Sequence, residues 1–223
     1  LPFVMNGMFH HKSIYSRADD VFGPEQLKGK RVAMRSYSQT TPTWVRGILH
    51  DEYGVRSSDV QCFSQQGAHV AEYRDPEWVQ SMDKDLSLEE ALLAGKVDAI
   101  IAGGAIENKD KLRNLISAPA DAAKAWSERT GVVPINHIVA VKESFAKEHP
   151  AAVAEVYRML IESRKLAGEQ PAATMRDMQP YGFDALDVSL RKVIDYAFDQ
   201  QMIKKRYSPE ELYGDVREIL EKN

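Results

Sequence analysis

Short apolar runs alternate with stretches of helical period along most of the chain. Val97-Asp98-Ala99-Ile100-Ile101-Ala102 is apolar but for one residue, runs into Gly103-Gly104, and reads as a buried strand. Arg31–Ser36 reads as a strand entered from the turn Leu27-Lys28-Gly29-Lys30, and Val60–Phe63 as a further short one. Between them, Pro42–Tyr53 carries Trp44, Val45, Ile48 and Leu49 on one face at helical spacing. Thr41 is its expected N-cap, Pro42 its first helical residue and Gly54 its stop. Ser87 and Glu90 form a capping box for a helix ending at Gly95. Ser13–Ser16 reads as the end of a strand, Ala120–Arg129 as a helix and Pro134–Val141 as a long strand.

Two stretches break the rhythm. Ser64–Asp83 shows no period and reads as a long structured loop, and Gly168–Tyr181 is the clearest irregular link. From Pro150 onward the pattern is helical: Val153, Val156, Tyr157, Leu160 and Ile161 make one apolar stripe, and Leu190, Val193, Ile194, Ala197 and Phe198 another. Ser208-Pro209-Glu210-Glu211 opens the last helix with a capping box.

Strand–helix–strand alternation with short links predicts an α/β fold with right-handed crossovers. The layout is that of a discontinuous, two-lobed molecule. Residues 1–19 are expected to belong to a first lobe and its crossing, 20–130 to an α/β second lobe, and 131–223 to a second crossing and the helical remainder of the first. In open sheets of this kind ligands sit at the carboxyl ends of strands, against helix N-termini.

Composition narrows the function classes. The 223 residues carry 29 Lys+Arg against 33 Asp+Glu, a net charge of -4, with no basic block that would mark a nucleic-acid partner. No apolar run approaches the ~18 residues of a membrane span. A single cysteine, Cys62, excludes an internal disulfide and a cysteine zinc cage, and its short strand offers it no basic partner. The first residues, Leu1-Pro2-Phe3-Val4-Met5, show neither an initiator nor a leader pattern, which leaves the compartment open.

The most informative polar stretch is Arg35-Ser36-Tyr37-Ser38-Gln39-Thr40-Thr41, which leaves a strand and enters a helix through successive hydroxyl and amide residues. The free N–H groups of the first helical turn together with those side chains make an anion cradle. Arg35 and Arg46 are the cations placed to pair with a carboxylate there. A plain polar turn capped by Thr41 would use the same residues. Arg74-Asp75-Pro76 reads either as a further ligand arginine or as a surface ion pair and turn.

Of the histidines, His50 and His149 fall in solvated helix ends, whereas His137 lies in an apolar strand beside Asn136, as a core hydrogen-bonding residue or a functional one. At most one of the adjacent His10 and His11 would share a site with His137, because strand neighbours point to opposite faces. No His-Glu-x-x-His motif, acidic metal loop, Walker loop or nucleophile elbow is present. No cofactor is expected, and nothing in the sequence supports a divalent metal.

The string Thr40-Thr41-Pro42-Thr43-Trp44-Val45-Arg46-Gly47-Ile48-Leu49, continuing to Glu52-Tyr53-Gly54-Val55, resembles the 4,5-dihydroxyphthalate decarboxylase family and its solute-binding relatives. Leu27–Val32, Glu72-Tyr73-Arg74-Asp75-Pro76 and Gly131-Val132-Val133-Pro134-Ile135-Asn136-His137 extend the resemblance in the expected order. It implies a two-lobed type II periplasmic-binding-protein-like fold whose first lobe here lacks the strand–helix–strand section that family members carry ahead of this point.

The resemblance also implies a decarboxylase acting on an aromatic dicarboxylate in an interlobe cleft. A dihydroxy ring is electron-rich, so protonation at the carboxyl-bearing carbon and loss of CO2 need no electron-sink cofactor. In that reading Ser38, Gln39, Thr40, Thr41, Arg35 and Arg46 clamp a carboxylate, Trp44 supplies a flat wall, and Arg74 holds a second carboxylate. Asn136 lines the site, and His137 is the general acid. The competing class is a non-catalytic receptor for a small carboxylate, of the transporter-feeding kind, which needs no proton donor. The enzyme would be cytoplasmic and the receptor periplasmic. The partner expected in both is a small-molecule carboxylate, and the helical C-terminal third offers surfaces for a homodimer.

Overall fold

The computed structural model of the chain describes residues 1–67, 70–168 and 176–222. In chain order its elements are β1 (Val4–Gly7), β2 (Ile14–Arg17), β3 (Arg31–Met34), α1 (Thr40–Tyr53), β4 (Gln61–Ser64), β5 (Val79–Ser81), α2 (Leu88–Leu93), β6 (Ala99–Ile101), β7 (Leu112–Asn114), α3 (Pro119–Thr130), β8 (Ile135–Ile138), α4 (Glu143–Glu148), α5 (Pro150–Ala167), α6 (Phe183–Asp199), α7 (Pro209–Tyr213) and α8 (Val216–Lys222). Short 3-10 turns sit at His11–Ser13, Pro24–Leu27 and Ser57–Asp59.

The chain divides into two units. A central unit holds Phe9–Thr130 and Asp195–Lys205; a terminal unit holds Leu1–Met8, Gly131–Ile194 and the stretch from Arg206 onward. The fold is α/β, as the alternation of strands and helices predicts.

In the central unit six strands lie in the order β5-β4-β3-β6-β2-β7. β3 pairs in parallel with β4 and β6, and β4 with β5. β2 enters antiparallel between β6 and β7. Because helices cover the parallel strands, these read as continuous apolar runs: Val32, Ala33 and Met34 are all buried, as are Ala99, Ile100 and Ile101. One cluster joins Ala33, Ala91, Leu92, Val97, Ile100, Ile106 and Leu112. Full burial of a Leu or Ile there contributes roughly 1.5–3 kcal/mol.

The Ser87–Glu90 capping box forms as expected, with Glu90 N donating to Ser87 Oγ and Ser87 N to Glu90 Oε2. Gly54 takes the left-handed conformation that ends α1, and its N–H donates to His50 O. At the other end of α1 the expectation needs correction. The helix begins at Thr40 with Gln39 as its N-cap, so Pro42 stands third in the first turn rather than first. A proline is tolerated anywhere in that turn, since its missing N–H has no intrahelical acceptor to lose.

The stretch read as a loop over residues 64–83 contains β5, three residues paired to the edge of β4. Short edge strands of mixed polarity leave no period to detect.

The terminal unit has a two-stranded antiparallel sheet, β1-β8, with register shifts on either side of Asn6. One of its apolar clusters joins Leu1, Ala146 and Val153, flanked by Tyr157, Leu160, Val216 and Ile219. The apolar stripe expected on α5 is therefore only partly used: Val153 is buried, whereas Val156 is exposed. In the second stripe, Leu190 and Ile194 are buried. The Ser208–Glu211 capping box is present, and half of the 168–181 link, residues 169–175, lies outside the described residues.

Candidate functional site

The carboxyl ends of three adjacent strands of the central unit converge. After β3 the chain turns through Arg35–Gln39 into α1; after β4 it passes Gln65–Gly67; after β6 it reaches Ala102–Gly104. Ser36 Oγ donates to Gly67 O at 3.3 Å, and Gln65 N and Gln66 N donate to Met34 O and Arg35 O, which binds the second stretch to the first. Gly103 lies against Thr41 so closely that a Cβ there would stand 2.9 Å from Thr41 Oγ1. This is the close approach for which Gly103-Gly104 follows a strand.

Ser38, Gln39, Thr40 and Thr41 are half-buried on this surface. Gln39 makes no side-chain cap, and the amides of Thr40 and Thr41, first in the helix, have no intrahelical acceptor. Arg35 is exposed, with Nε donating to Gln66 Oε1 at 3.0 Å. Ser38, Gln39, Thr40 and Thr41 thus share one turn at the start of α1, with Arg35 just past the end of β3 before it.

Trp44 and Arg46 do not join it. Trp44 is fully buried, edge-on to Trp126 and Tyr196 at centroid distances of 6.4 and 5.6 Å, so it is core rather than a ligand wall. Its place at the first apolar position of the α1 face puts it inward by the same periodicity that predicted the helix. Arg46 is also interior. Its Nε donates to Gln200 Oε1 at 2.9 Å, its Nη2 to Tyr37 O at 2.7 Å and its Nη1 to Met34 Sδ at 3.0 Å, and its guanidinium lies 3.7 Å from the Tyr37 ring centroid. Burial pulls its pKa down. Arginine therefore acts here as a strut between β3, the turn after it and the residue following α6. The sequence signal for its partner was weak, because Gln200 lies 154 positions away.

Arg74 is exposed and folds back on its own turn, donating to Ala71 O and Tyr73 O at 2.6 and 2.8 Å. These bonds form the turn expected of Arg74-Asp75-Pro76.

His137 and Asn136 belong to β8 of the terminal unit. His137 is exposed, so it is not a core hydrogen-bonding residue; Asn136 is half-buried and its Oδ1 is buried without a donor among the described residues. His149 is exposed, His50 is half-buried, and His69 lies outside the described residues.

His10 and His11, expected on opposite faces of a strand, are both buried because the chain makes a 3-10 turn there. The His11 ring packs 5.6 Å from Trp126, and burial lowers its pKa to about 4. Cys62 is fully buried, and burial pushes its thiol up to about 11, so it is inert packing. Among the described residues no three His, Cys, Asp or Glu side chains cluster to hold a metal ion, and no helix is long and apolar enough to cross a membrane.

The chain is 30% identical over 168 residues to a 4,5-dihydroxyphthalate decarboxylase of Comamonas testosteroni, which is 67% of this chain and 49% of that protein. It is 29% identical over 140 residues to a 4,5-dihydroxyphthalate decarboxylase of Pseudomonas putida, 56% of this chain and 54% of that one. The chain is similar in sequence to 4,5-dihydroxyphthalate decarboxylases over these stretches. It spans about half the length of the curated relatives it matches. No protein-family model matches it.

Among solved structures, it aligns with the periplasmic aliphatic sulphonate binding protein SsuA from Escherichia coli at a TM-score of 0.43 and 15% identity, over 97% of this chain and 72% of that one. The alkanesulfonate-binding protein SsuA from Xanthomonas axonopodis pv. citri aligns at the same score and identity, over 92% and 71%.

Proposed function

We propose that this protein is a carboxy-lyase that removes CO2 from an aromatic dicarboxylate of the 4,5-dihydroxyphthalate type. The observation that carries the reading is the turn Ser38–Thr41, held at the carboxyl ends of β3, β4 and β6 with Gly103 against Thr41. It offers a carboxylate two unpaired amides, hydroxyls and the nearby Arg35, which is how open α/β sheets receive anions. Similarity to two decarboxylases supports the choice of substrate class.

In this reading one carboxylate is held by the turn. An acid of the protein delivers a proton to the ring carbon bearing the departing carboxylate. The C–C bond then breaks, CO2 leaves, and its electron pair restores the aromatic ring. The phenolic oxygens stabilise the protonated ring, so no cofactor acts as electron sink. Trp44 and Arg46 have no part in it, being packed inside the central unit.

Incubation with 4,5-dihydroxyphthalate, followed by CO2 release and by thermal shift, tests the proposal. CO2 release is the expected result. A thermal shift without CO2 would replace the enzyme by a carboxylate receptor, and silence in both would remove the aromatic-acid reading.

A further inference from the structure

The central unit contains a cavity of about 410 Å³ that the carboxylate turn does not use. Arg46, His50, Arg56, Trp78, Tyr196 and Gln200 are among its walls. His50 and Arg56 flank the C-terminal end of α1, whereas the turn at residues 38–41 leads into its N-terminal end. Because α1 is 14 residues long, roughly 20 Å of helix at ~1.5 Å per residue separates its two ends.

Three features of this cavity point to a ligand. First, Arg46 is a charged side chain only 3% exposed, and among the described residues no carboxylate lies within ion-pair distance of it. Its hydrogen bonds go to an amide, a carbonyl and a thioether; Asp75 attracts it only from farther off. A buried guanidinium with neutral partners leaves an uncompensated charge, which an anion in the adjoining space would balance. Second, Arg56 is exposed on the wall, adding a cation that can reach a ligand from the solvent side. Third, Trp78 lines the cavity and brings it the flat face of an indole ring, whose N–H is engaged by the Tyr37 hydroxyl.

The volume falls within the ~300–1,000 Å³ of small-molecule pockets, and the Trp78 and Tyr196 rings supply apolar surface beside the charges. Asp199 also lines the cavity, so a ligand with a single anionic end and an apolar body suits it better than a multiply charged one.

We propose that this cavity is a second binding site of the central unit, taking a small aromatic monocarboxylate whose carboxylate lies toward Arg46 and Arg56 and whose ring lies along Trp78 and Tyr196. The site is independent of the carboxylate turn and does not rest on the decarboxylase reading.

The probe is 4-fluorobenzoate, titrated into the whole protein and followed by the fluorine resonance of the ligand. Saturable binding is expected below ~10 mM. Arg56→Gln, at an exposed position that tolerates the change, weakens it about tenfold, the loss of one charge-assisted hydrogen bond. Trp78→Leu, which keeps apolar bulk and removes the flat ring, weakens it severalfold, and Thr41→Val leaves the titration where it was. Absence of saturation, or binding that Thr41→Val weakens and Arg56→Gln spares, overturns the proposal. The second of those results would return the ligand to the turn.

Discussion

The ring of Tyr196 lies directly on Gly47. A Cβ added to that glycine would stand 2.1 Å from Cδ2 and 2.2 Å from Cε2 of the tyrosine, well inside contact distance. Glycine inside a helix costs ~1 kcal/mol relative to alanine, so its presence in the middle of α1 is explained by the ring that its missing side chain admits. Tyr196 cannot slide aside freely, because it is buried and its hydroxyl donates to Asp51 Oδ2 at 2.6 Å. Gly47→Ala should therefore destabilise the protein by about 1–3 kcal/mol in urea unfolding despite its better helix propensity. In a Tyr196→Ala background the same substitution should be neutral or stabilise by up to ~1 kcal/mol. A stabilising effect in the wild-type background would show that the ring is not held there.

Asp98 ties the start of β3 to the chain entering β6. Its Oδ2 accepts from Arg31 N at 2.9 Å and from Arg31 Nε at 3.1 Å, and its Oδ1 from Arg31 Nη2 at 2.8 Å. The hydrogen bonds from Arg31 hold the Asp98 carboxyl below its ordinary pKa of 3.8. A carboxylate with a depressed folded-state pKa contributes stability that is complete above the unfolded value and is lost as pH falls through the folded one. Asp98→Asn should cost about 1–2 kcal/mol at pH 7, discounted for partial exposure, and that difference should shrink below about pH 4. A pH-independent difference between the two proteins, measured by denaturant melts across that range, would assign the cost to packing.

What could be read from the sequence follows from how local each signal is. The capping boxes at Ser87 and Ser208 and the stop at Gly54 are set by residues within four positions of one another, and all three form as expected. The polar turn at residues 38–41 was legible for the same reason. Arg46 and Trp44 show where this fails: one sequence window marks them as chemistry-bearing types, but their partners Gln200 and Tyr196 arrive from α6 and the residue after it. Nothing nearby in sequence distinguishes an arginine that meets a ligand from one that meets a distant glutamine. β5 and β7, three residues each, were illegible because they are too short to show alternation and owe their existence to the strands beside them.

Cys62 should behave as an unreactive thiol. It is fully buried in β4, with Sγ 3.5 Å from Ser57 O, and burial raises its pKa to about 11. At pH 8 only a very small thiolate fraction is available for attack, and access requires opening of the sheet. Labelling with a thiol reagent should be slow in buffer and stoichiometric in denaturant. Rapid labelling of the native protein would place Cys62 at a mobile or exposed position.

His11 should make stability depend on pH in a window set by its burial. Neither ring nitrogen has a hydrogen-bond partner among the described residues, and its folded pKa of about 4 lies below the ordinary 6.5. Between those values the unfolded chain binds a proton that the folded one does not, so stability falls as pH drops from 6.5 toward 4. Above 6.5 the histidine adds no slope, and below about 4 both states are protonated. The loss amounts to at most about 3 kcal/mol. His11→Leu should flatten that part of the profile while the acid limb due to carboxylates remains; an unchanged slope would show that the imidazole is protonated in the fold.

Gly103 and Gly104 offer a matched pair for testing the carboxylate turn. A methyl at Gly103 meets Thr41 Oγ1 at 2.9 Å, whereas one at Gly104 meets nothing within 4 Å, and neither glycine has a left-handed φ that would strain an alanine. The atom displaced by Gly103→Ala is the end of a small side chain, which can rotate, so the cost in stability should stay under ~1 kcal/mol. Rotation takes the Thr41 hydroxyl away from the turn, and a carboxylate held by that hydroxyl loses one hydrogen bond, about a fivefold to tenfold weakening. Gly103→Ala should therefore weaken 4,5-dihydroxyphthalate binding by that factor with little change in melting temperature, and Gly104→Ala should do neither. Equal affinities for the two variants would remove Thr41 from the site and leave its hydroxyl as a packing contact for the strand end at Gly103.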